Sequence, residues 1–216
     1  MVYEKYFAYS TTEQLPFLLT VPSDFSAEER LPLIVFLHGA GERGTDFAKI
    51  RVHGIPKLFG ANPDYRGLRV VTLSPQCPLN DVWNAQPKIV HALIESVIAE
   101  YHCDPDRVSI TGISMGGFGT WEMAMRYPTL FAAAAPICGG GMSWRTESLK
   151  NLPIRAFHGD QDTVVPLEYS LLMVRAVNAR GGNAQLTVYP GVAHDSWTPA
   201  YEQSDLIEWL IAQKRS

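Results

Sequence analysis

Ser114 stands in Gly112-Ile-Ser-Met-Gly-Gly117, between a β-type run, Arg107 to Thr111, and a stretch of helical spacing at about 116–126. This is the setting of a nucleophile elbow, a turn so tight that side chains at 112 and 116 would collide. Gly117 lets the helix pack close to the strand, and the serine is thrust clear of the sheet at the positive end of a helix. A serine hydroxyl is a poor nucleophile near neutral pH, so a base must take its proton and a third group must orient that base. Of the six histidines, His53, His91 and His102 fall in or beside helical stretches. His38 and His158 end buried strands ahead of a glycine, where structural hydrogen bonding is expected. His194 lies instead in the loop Pro190-Gly-Val-Ala-His-Asp-Ser-Trp197, from which an imidazole can reach Ser114. The loop His158-Gly-Asp-Gln-Asp-Thr-Val-Val-Pro166 offers two acids. Asp162 is favoured because it lies deeper in that loop, ahead of a helix opened by Pro166, which leaves Asp160 to brace the turn. Asp195 is a weaker rival, since its side chain points away from the inner nitrogen of the neighbouring imidazole. Ser114, His194 and Asp162 together are equipped for acyl transfer through a covalent intermediate.

A developing oxyanion needs donors. After Leu33-Ile-Val-Phe-Leu37 comes His38-Gly-Ala-Gly-Glu-Arg-Gly-Thr45, whose glycines leave backbone N–H groups bare. The amide of Ala40 can join that of Met115 on the oxyanion, each such donor being worth about 3 kcal/mol in a transition state. The same loop spells Gly39-x-Gly41-x-x-Gly44, formally a dinucleotide signature. That signature also requires an acid at the end of the next strand, which here reads Leu73-Ser-Pro-Gln76, and no Gly-Lys-Ser/Thr follows to make a P-loop. No cofactor is therefore expected, and no His-Glu-x-x-His or similar pattern calls for a metal.

The elements that must hold these loops are strands alternating with helices. Residues 2–9 and 15–21 have the pattern of a hairpin, and further strands are expected at 33–37, 69–73, 107–111, 131–137, 154–157 and 185–189. Helical spacing runs through about 46–59, 86–101, 116–126, 167–179 and 199–213. The alternation implies an α/β fold: a mostly parallel twisted sheet with helices on both faces, and chemistry in the loops beyond the carboxyl ends of the strands.

Leu37-His-Gly-Ala-Gly-Glu42, Gly112-Ile-Ser-Met-Gly-Gly117, the 158–166 loop and Ala193-His194 resemble the motifs of the α/β-hydrolase superfamily. The resemblance runs over about residues 15–214 and is closer to small lid-less serine esterases: the phospholipase/carboxylesterase group, dienelactone-hydrolase-like proteins, and the predicted peptidase or feruloyl-esterase-like relatives. The order Ser114, Asp162, His194 is that of the superfamily. The resemblance implies carboxylic ester hydrolysis by that triad, with Ala40 and Met115 as oxyanion donors. A peptidase or amidase of the same fold, and a non-catalytic hydrolase-fold binding protein, are the alternatives. Dienelactone hydrolases proper carry cysteine where Ser114 stands. Only about 14 residues (139–152) follow the strand ending near Cys138, which leaves no room for a cap domain. Trp83, Met142, Trp144 and Trp197 sit in or beside the carboxyl-end loops; Trp83 and Trp197 are the candidates for lining a pocket that takes small or medium acyl or aryl esters. Glu42 and Arg43 either touch substrate or pair with each other.

Composition agrees with this. At 216 residues, 46% of them hydrophobic, one domain spanning 1–216 with a single core is expected. A net charge of −4 excludes a sequence-independent nucleic-acid binder, and no apolar run is long enough to span a membrane. The expected partner is a small-molecule ester; nothing in the sequence assigns an oligomeric state. Three cysteines at wide, unequal spacing, Cys77, Cys103 and Cys138, read as buried thiols, and the amino terminus lacks the pattern of a signal peptide. Both features fit a cytoplasmic setting.

Overall fold

The computed structural model describes residues 1–215. Eight strands, β1 (Val2–Ala8), β2 (Gln14–Thr20), β3 (Leu33–Leu37), β4 (Val71–Pro75), β5 (Val108–Ile113), β6 (Ala133–Ile137), β7 (Ile154–Gly159) and β8 (Ala184–Tyr189), form one sheet in the order β1-β2-β4-β3-β5-β6-β7-β8. The β1–β2 hairpin and the β2–β4 pair are antiparallel. Every pairing from β4 through β3 to β8 is parallel. Because β3 lies between β4 and β5, the chain leaves it in one direction and later crosses back over it. That reversal opens a crevice beyond the carboxyl ends of β3 and β5, where parallel α/β sheets bind ligands.

The helices are α1 (Phe47–Ile50), α2 (Gly54–Ala61), α3 (Pro87–Glu100), α4 (Met115–Arg126), α5 (Glu168–Asn178), α6 (Trp197–Glu202) and α7 (Leu206–Ala212). They cover both faces of the sheet, and β3 shows why its sequence is apolar throughout. Leu33, Val35 and Leu37 point into one core with α3, α4 and α5. Ile34 and Phe36 point into the other, with α2, α6 and α7. A strand whose side chains alternate between two cores has no polar face to show.

Two expected helices are broken. The stretch 46–59 becomes α1 and α2, interrupted before Gly54, whose φ of +59° suits glycine and whose bare Cα faces the Phe36 ring. The stretch 199–213 becomes α6 and α7. There the Ser204 hydroxyl donates to Ala200 O and accepts from Leu206 N, drawing the backbone out of the helical ladder. Strands β4 and β6 begin two residues later than their apolar runs, at Val71 and Ala133. Between β6 and β7 the chain makes a 3₁₀ run, Ser143–Leu149, and no inserted domain. Among the described residues no helix is long and apolar enough to cross a membrane. Cys77, Cys103 and Cys138 are buried and unpaired, and burial pushes each thiol up to about 12.

Candidate active site

Ser114 is the hinge between β5 and α4 and holds φ 51°, ψ −116°, a conformation that a non-glycine residue keeps only when its surroundings impose it. The surroundings are carbonyls. Ser114 N donates to Ile137 O at 3.0 Å, and Phe118 N to Ser114 O at 3.1 Å. A Cβ on Gly116 would lie 1.8 Å from Leu37 O, and one on Gly117 2.4 Å from Ile137 O. The start of α4 is therefore wedged between β3 and β6, and glycine at those positions is a steric requirement.

His194, in the loop from β8 to α6, places Nε2 at 3.0 Å from Ser114 Oγ and Nδ1 at 2.7 Å from Asp162 Oδ2. A carboxylate only accepts, so Nδ1 carries the proton and donates to Asp162, which leaves Nε2 to accept from the serine hydroxyl. Asp162 Oδ1 is filled by the amides of Val164 and Val165, both at 2.9 Å. Burial alone would raise this carboxyl. The bonds from His194 and from the amides of Val165 and Val164 outweigh it and hold Asp162 below the ordinary carboxylate range. Asp160 is exposed and accepts from Gly191 N at 2.7 Å, tying the loop of the acid to the loop of the imidazole. Asp195 accepts from Thr198 N and Oγ1 at the start of α6, turned away from the His194 ring. His158 is buried among Ser170 Oγ, Val165 O and Asp162 Oδ2, at 2.7, 2.8 and 3.3 Å, where it braces the acid loop.

Ala40 opens a 3₁₀ turn, Ala40–Glu42, and Met115 opens α4, so neither amide has a partner within its own helix. No other acceptor reaches either of them among the described residues. The loop carrying Ala40 is pinned from behind. Gln76 Nε2 donates to Glu42 O and Asp46 O at 2.8 and 2.9 Å, Arg43 Nε donates to Ala40 O at 2.9 Å, and Gly44 N donates to Cys77 O at 2.9 Å. His38 completes the brace: Nδ1–H donates to Gly39 O at 2.6 Å and Nε2 accepts from Cys77 N at 2.9 Å.

Burial pulls the His38 imidazole from 6.5 to about 4, with the Arg43 charge adding and the Gly39 carbonyl opposing. Between those values the unfolded chain binds the proton and the native one does not, so stability falls as the pH falls. About 2 kcal/mol should be lost between pH 7 and pH 5 from this residue. Urea denaturation at the two pH values measures it, and His38→Asn should flatten the slope. An unchanged slope would assign the acid sensitivity elsewhere.

The structure corrects the expectation for Trp83. Its side chain is 1% exposed, Nε1–H donates to His38 O at 2.9 Å, and its Cβ faces the bare Cα of Gly119. It braces the loop from behind and does not line a pocket. Trp144 is 72% exposed. Trp197 does line the cleft beside Ser114, with its ring edge-on to both His194 and His53 at 5.3 Å. That cleft, about 230 Å³, also contains Glu42, His53, Ile113 and Val164. A larger groove of about 530 Å³ by Glu13 and Arg126 contains no nucleophile beside a base. Glu42 and Arg43 do not pair: Arg43 turns to backbone carbonyls, whereas Glu42 lies 3.9 Å from His53 Nε2. His53, grouped by its sequence pattern with the histidines of the helical stretches, is the residue that precedes α2 and lines the cleft, and no sequence signal marks it for that position. Among the described residues, Cys138, Asp162 and His194 bring ligand-type atoms within 4.8 Å of one another. Asp162 and His194 are already bonded to each other and the Cys138 thiol keeps its proton, so the trio is poorly prepared for a cation.

The sheet order, the strained elbow after β5 and the Ser–His–Asp chain across three loops define an α/β-hydrolase. The dienelactone hydrolase family matches residues 79–204, more than half of this sequence, and the chain belongs to that family. It is similar to poly(3-hydroxyalkanoate) depolymerase C of Paucimonas lemoignei, 45% identical over 51 residues that make up 24% of this chain and 12% of that protein. It is also similar to the carboxylesterase SOBER1 of Arabidopsis thaliana, 31% identical over 113 residues, 50% of this chain and 49% of that one. Among solved structures, a thermostable esterase superimposes with a TM-score of 0.90 at 38% identity, over 99% of this chain and 63% of its own. The chain thus spans half or less of the length of these curated relatives.

Proposed function

We propose that this protein is a serine carboxylic ester hydrolase. One observation carries the reading: the unbroken hydrogen-bond chain from Ser114 Oγ through His194 to Asp162, at 3.0 and 2.7 Å, in a cleft open to solvent. In this reading His194 Nε2 takes the hydroxyl proton as Ser114 Oγ attacks the ester carbonyl. The amides of Ala40 and Met115 receive the oxyanion, and Asp162 stabilises the imidazolium. Collapse expels the alcohol, which takes the proton from His194 and leaves an acyl-serine. Water, deprotonated by the same imidazole, then releases the acid and restores the serine. No cofactor enters this scheme.

A carboxylesterase among the relatives and an esterase among the solved structures support the reading. The volume near Ser114, about 230 Å³, favours small or medium acyl or aryl esters. The substrate is a small molecule, and the free thiols favour a cytoplasmic location. A fluorophosphonate probe should label Ser114, found by mass spectrometry of the modified peptide, and p-nitrophenyl acetate or butyrate should be turned over faster than a p-nitroanilide. Absence of labelling would refute the reading; a faster anilide would make the protein an amidase.

A further inference from the structure

The cleft beside Ser114 holds one acid that the proposed hydrolysis does not use. The side chain of Glu42 is only 13% exposed, and neither carboxylate oxygen receives a hydrogen bond among the described residues. Oε2 is sealed from solvent, whereas Oε1 is not. The ionisable nitrogens within 4 Å are His38 Nδ1, 3.9 Å from Oε2, and His53 Nε2, 3.9 Å from Oε1. His38 spends its only proton on Gly39 O, so it has none for Glu42. A carboxylate this far withdrawn from water without a close donor is costly.

Its position sharpens the point. Oε2 would lie 3.1 Å from a Cβ on Gly39, in the loop whose Ala40 lines the cleft. A negative charge there opposes a developing oxyanion unless a donor draws on it. Glu42 is also held rigidly, since Gln76 grips its carbonyl and Arg43 that of Ala40. The result is a pre-positioned acceptor with its accessible oxygen open and its proton donor missing.

We infer that Glu42, with His53 beside it, is the specificity group of this cleft and accepts a hydrogen bond from a hydroxyl on the substrate. The inference rests on the ester-hydrolase reading and narrows it to neutral esters that carry a free hydroxyl. An ester with a carboxylate is repelled by Glu42. An ammonium carries a larger desolvation cost into a small cleft whose other walls include Ile113, Val164 and Trp197. A hydroxyl costs less to desolvate, and it can give its proton to Glu42 Oε1 while its oxygen faces His53.

The test uses matched esters on the purified enzyme, with rates corrected for spontaneous hydrolysis. One pair is p-nitrophenyl butyrate and p-nitrophenyl 3-hydroxybutyrate; the other is ethyl butyrate and 2-hydroxyethyl butyrate, which moves the hydroxyl to the alcohol side. In at least one pair kcat/KM should favour the hydroxylated ester by about tenfold, the range of a hydrogen bond to a charged group. That ratio should fall partway in Glu42→Gln and to near one in Glu42→Leu, and the ratio is the readout whatever the absolute rates become. If Glu42→Leu fails to fold, the isosteric Glu42→Gln decides. Equal rates within both pairs for the wild-type enzyme overturn the inference alone. So does a preference that survives substitution, or a preference for the cationic ester butyrylcholine over 2-hydroxyethyl butyrate. No turnover of any ester sinks the hydrolase reading and the inference together.

Discussion

Ser114→Ala should lower kcat on p-nitrophenyl butyrate by about 10⁴–10⁶-fold and leave the fold intact. The size follows from what one atom does in the proposed cycle. Without Oγ no acyl-serine forms, and what survives is binding plus the two amides acting on attack by water, worth the last few powers of ten. The fold should tolerate the change because Oγ has a single partner, His194 Nε2, on a residue whose ring is partly open to solvent. No buried donor or acceptor is orphaned. Alanine also demands no more of the backbone at φ 51° than serine does, so the strain of the turn is unchanged. Two measurements separate the outcomes: the kinetic loss should come with a melting temperature within a few degrees of wild type, and fluorophosphonate labelling should vanish. Most of the activity remaining would place the nucleophile elsewhere. Lost activity with lost structure would show that Oγ supports the turn.

The loops carrying Ser114, Asp162 and His194 were legible because each is bounded by local signals. Gly112, Gly116 and Gly117 mark the elbow, and the clearances of 2.4, 1.8 and 2.4 Å for their missing Cβ atoms show the steric reason those letters are glycine. The strands were legible because β3 and β6 are buried on both faces and so are apolar throughout, while β5 is buried along its whole length and its Ser109 and Thr111 hydroxyls donate to Leu210 O and Ala135 O. What could not be read depends on distant partners. Trp83 sits in a loop of the right kind, yet its indole N–H finds His38 O, 45 residues earlier in the chain, and that contact turns it inward. The break before α2 was hidden because Gly54 reads as an ordinary helical glycine until the Phe36 ring presses on it from β3. Glu42 and His53 have no shared motif at all. Their meeting at one wall is set by how the start of α2 packs beside the loop after β3, and neither hydropathy nor spacing carries that information.

Asp162→Asn should cost about 10⁴-fold in kcat, against less than tenfold for Asp160→Asn. The asymmetry lies in which atoms each carboxylate serves. Asp162 Oδ1 takes two backbone amides and Oδ2 takes His194 Nδ1, so all its bonds are accepted ones. Asparagine has one accepting oxygen and one donating nitrogen. If the oxygen stays on the Val164 and Val165 amides, the loop is kept but an NH₂ faces His194 Nδ1. The imidazole must then carry its proton on Nε2, where it donates to Ser114 and cannot act as a base. If the amide flips, two buried backbone donors lose their acceptor and the loop carrying the residue is destabilised. Neither arrangement preserves the base. Asp160 has no such conflict, because its Oδ1 accepts from Gly191 N and Gln161 Nε2 at the exposed rim, and an asparagine oxygen can do the same. Steady-state kinetics of the two variants on one ester, with urea denaturation to register any loosening of the loop, decide the matter. A larger loss at 160 than at 162 would reassign the acid and leave the 2.7 Å contact between His194 and Asp162 without a catalytic role.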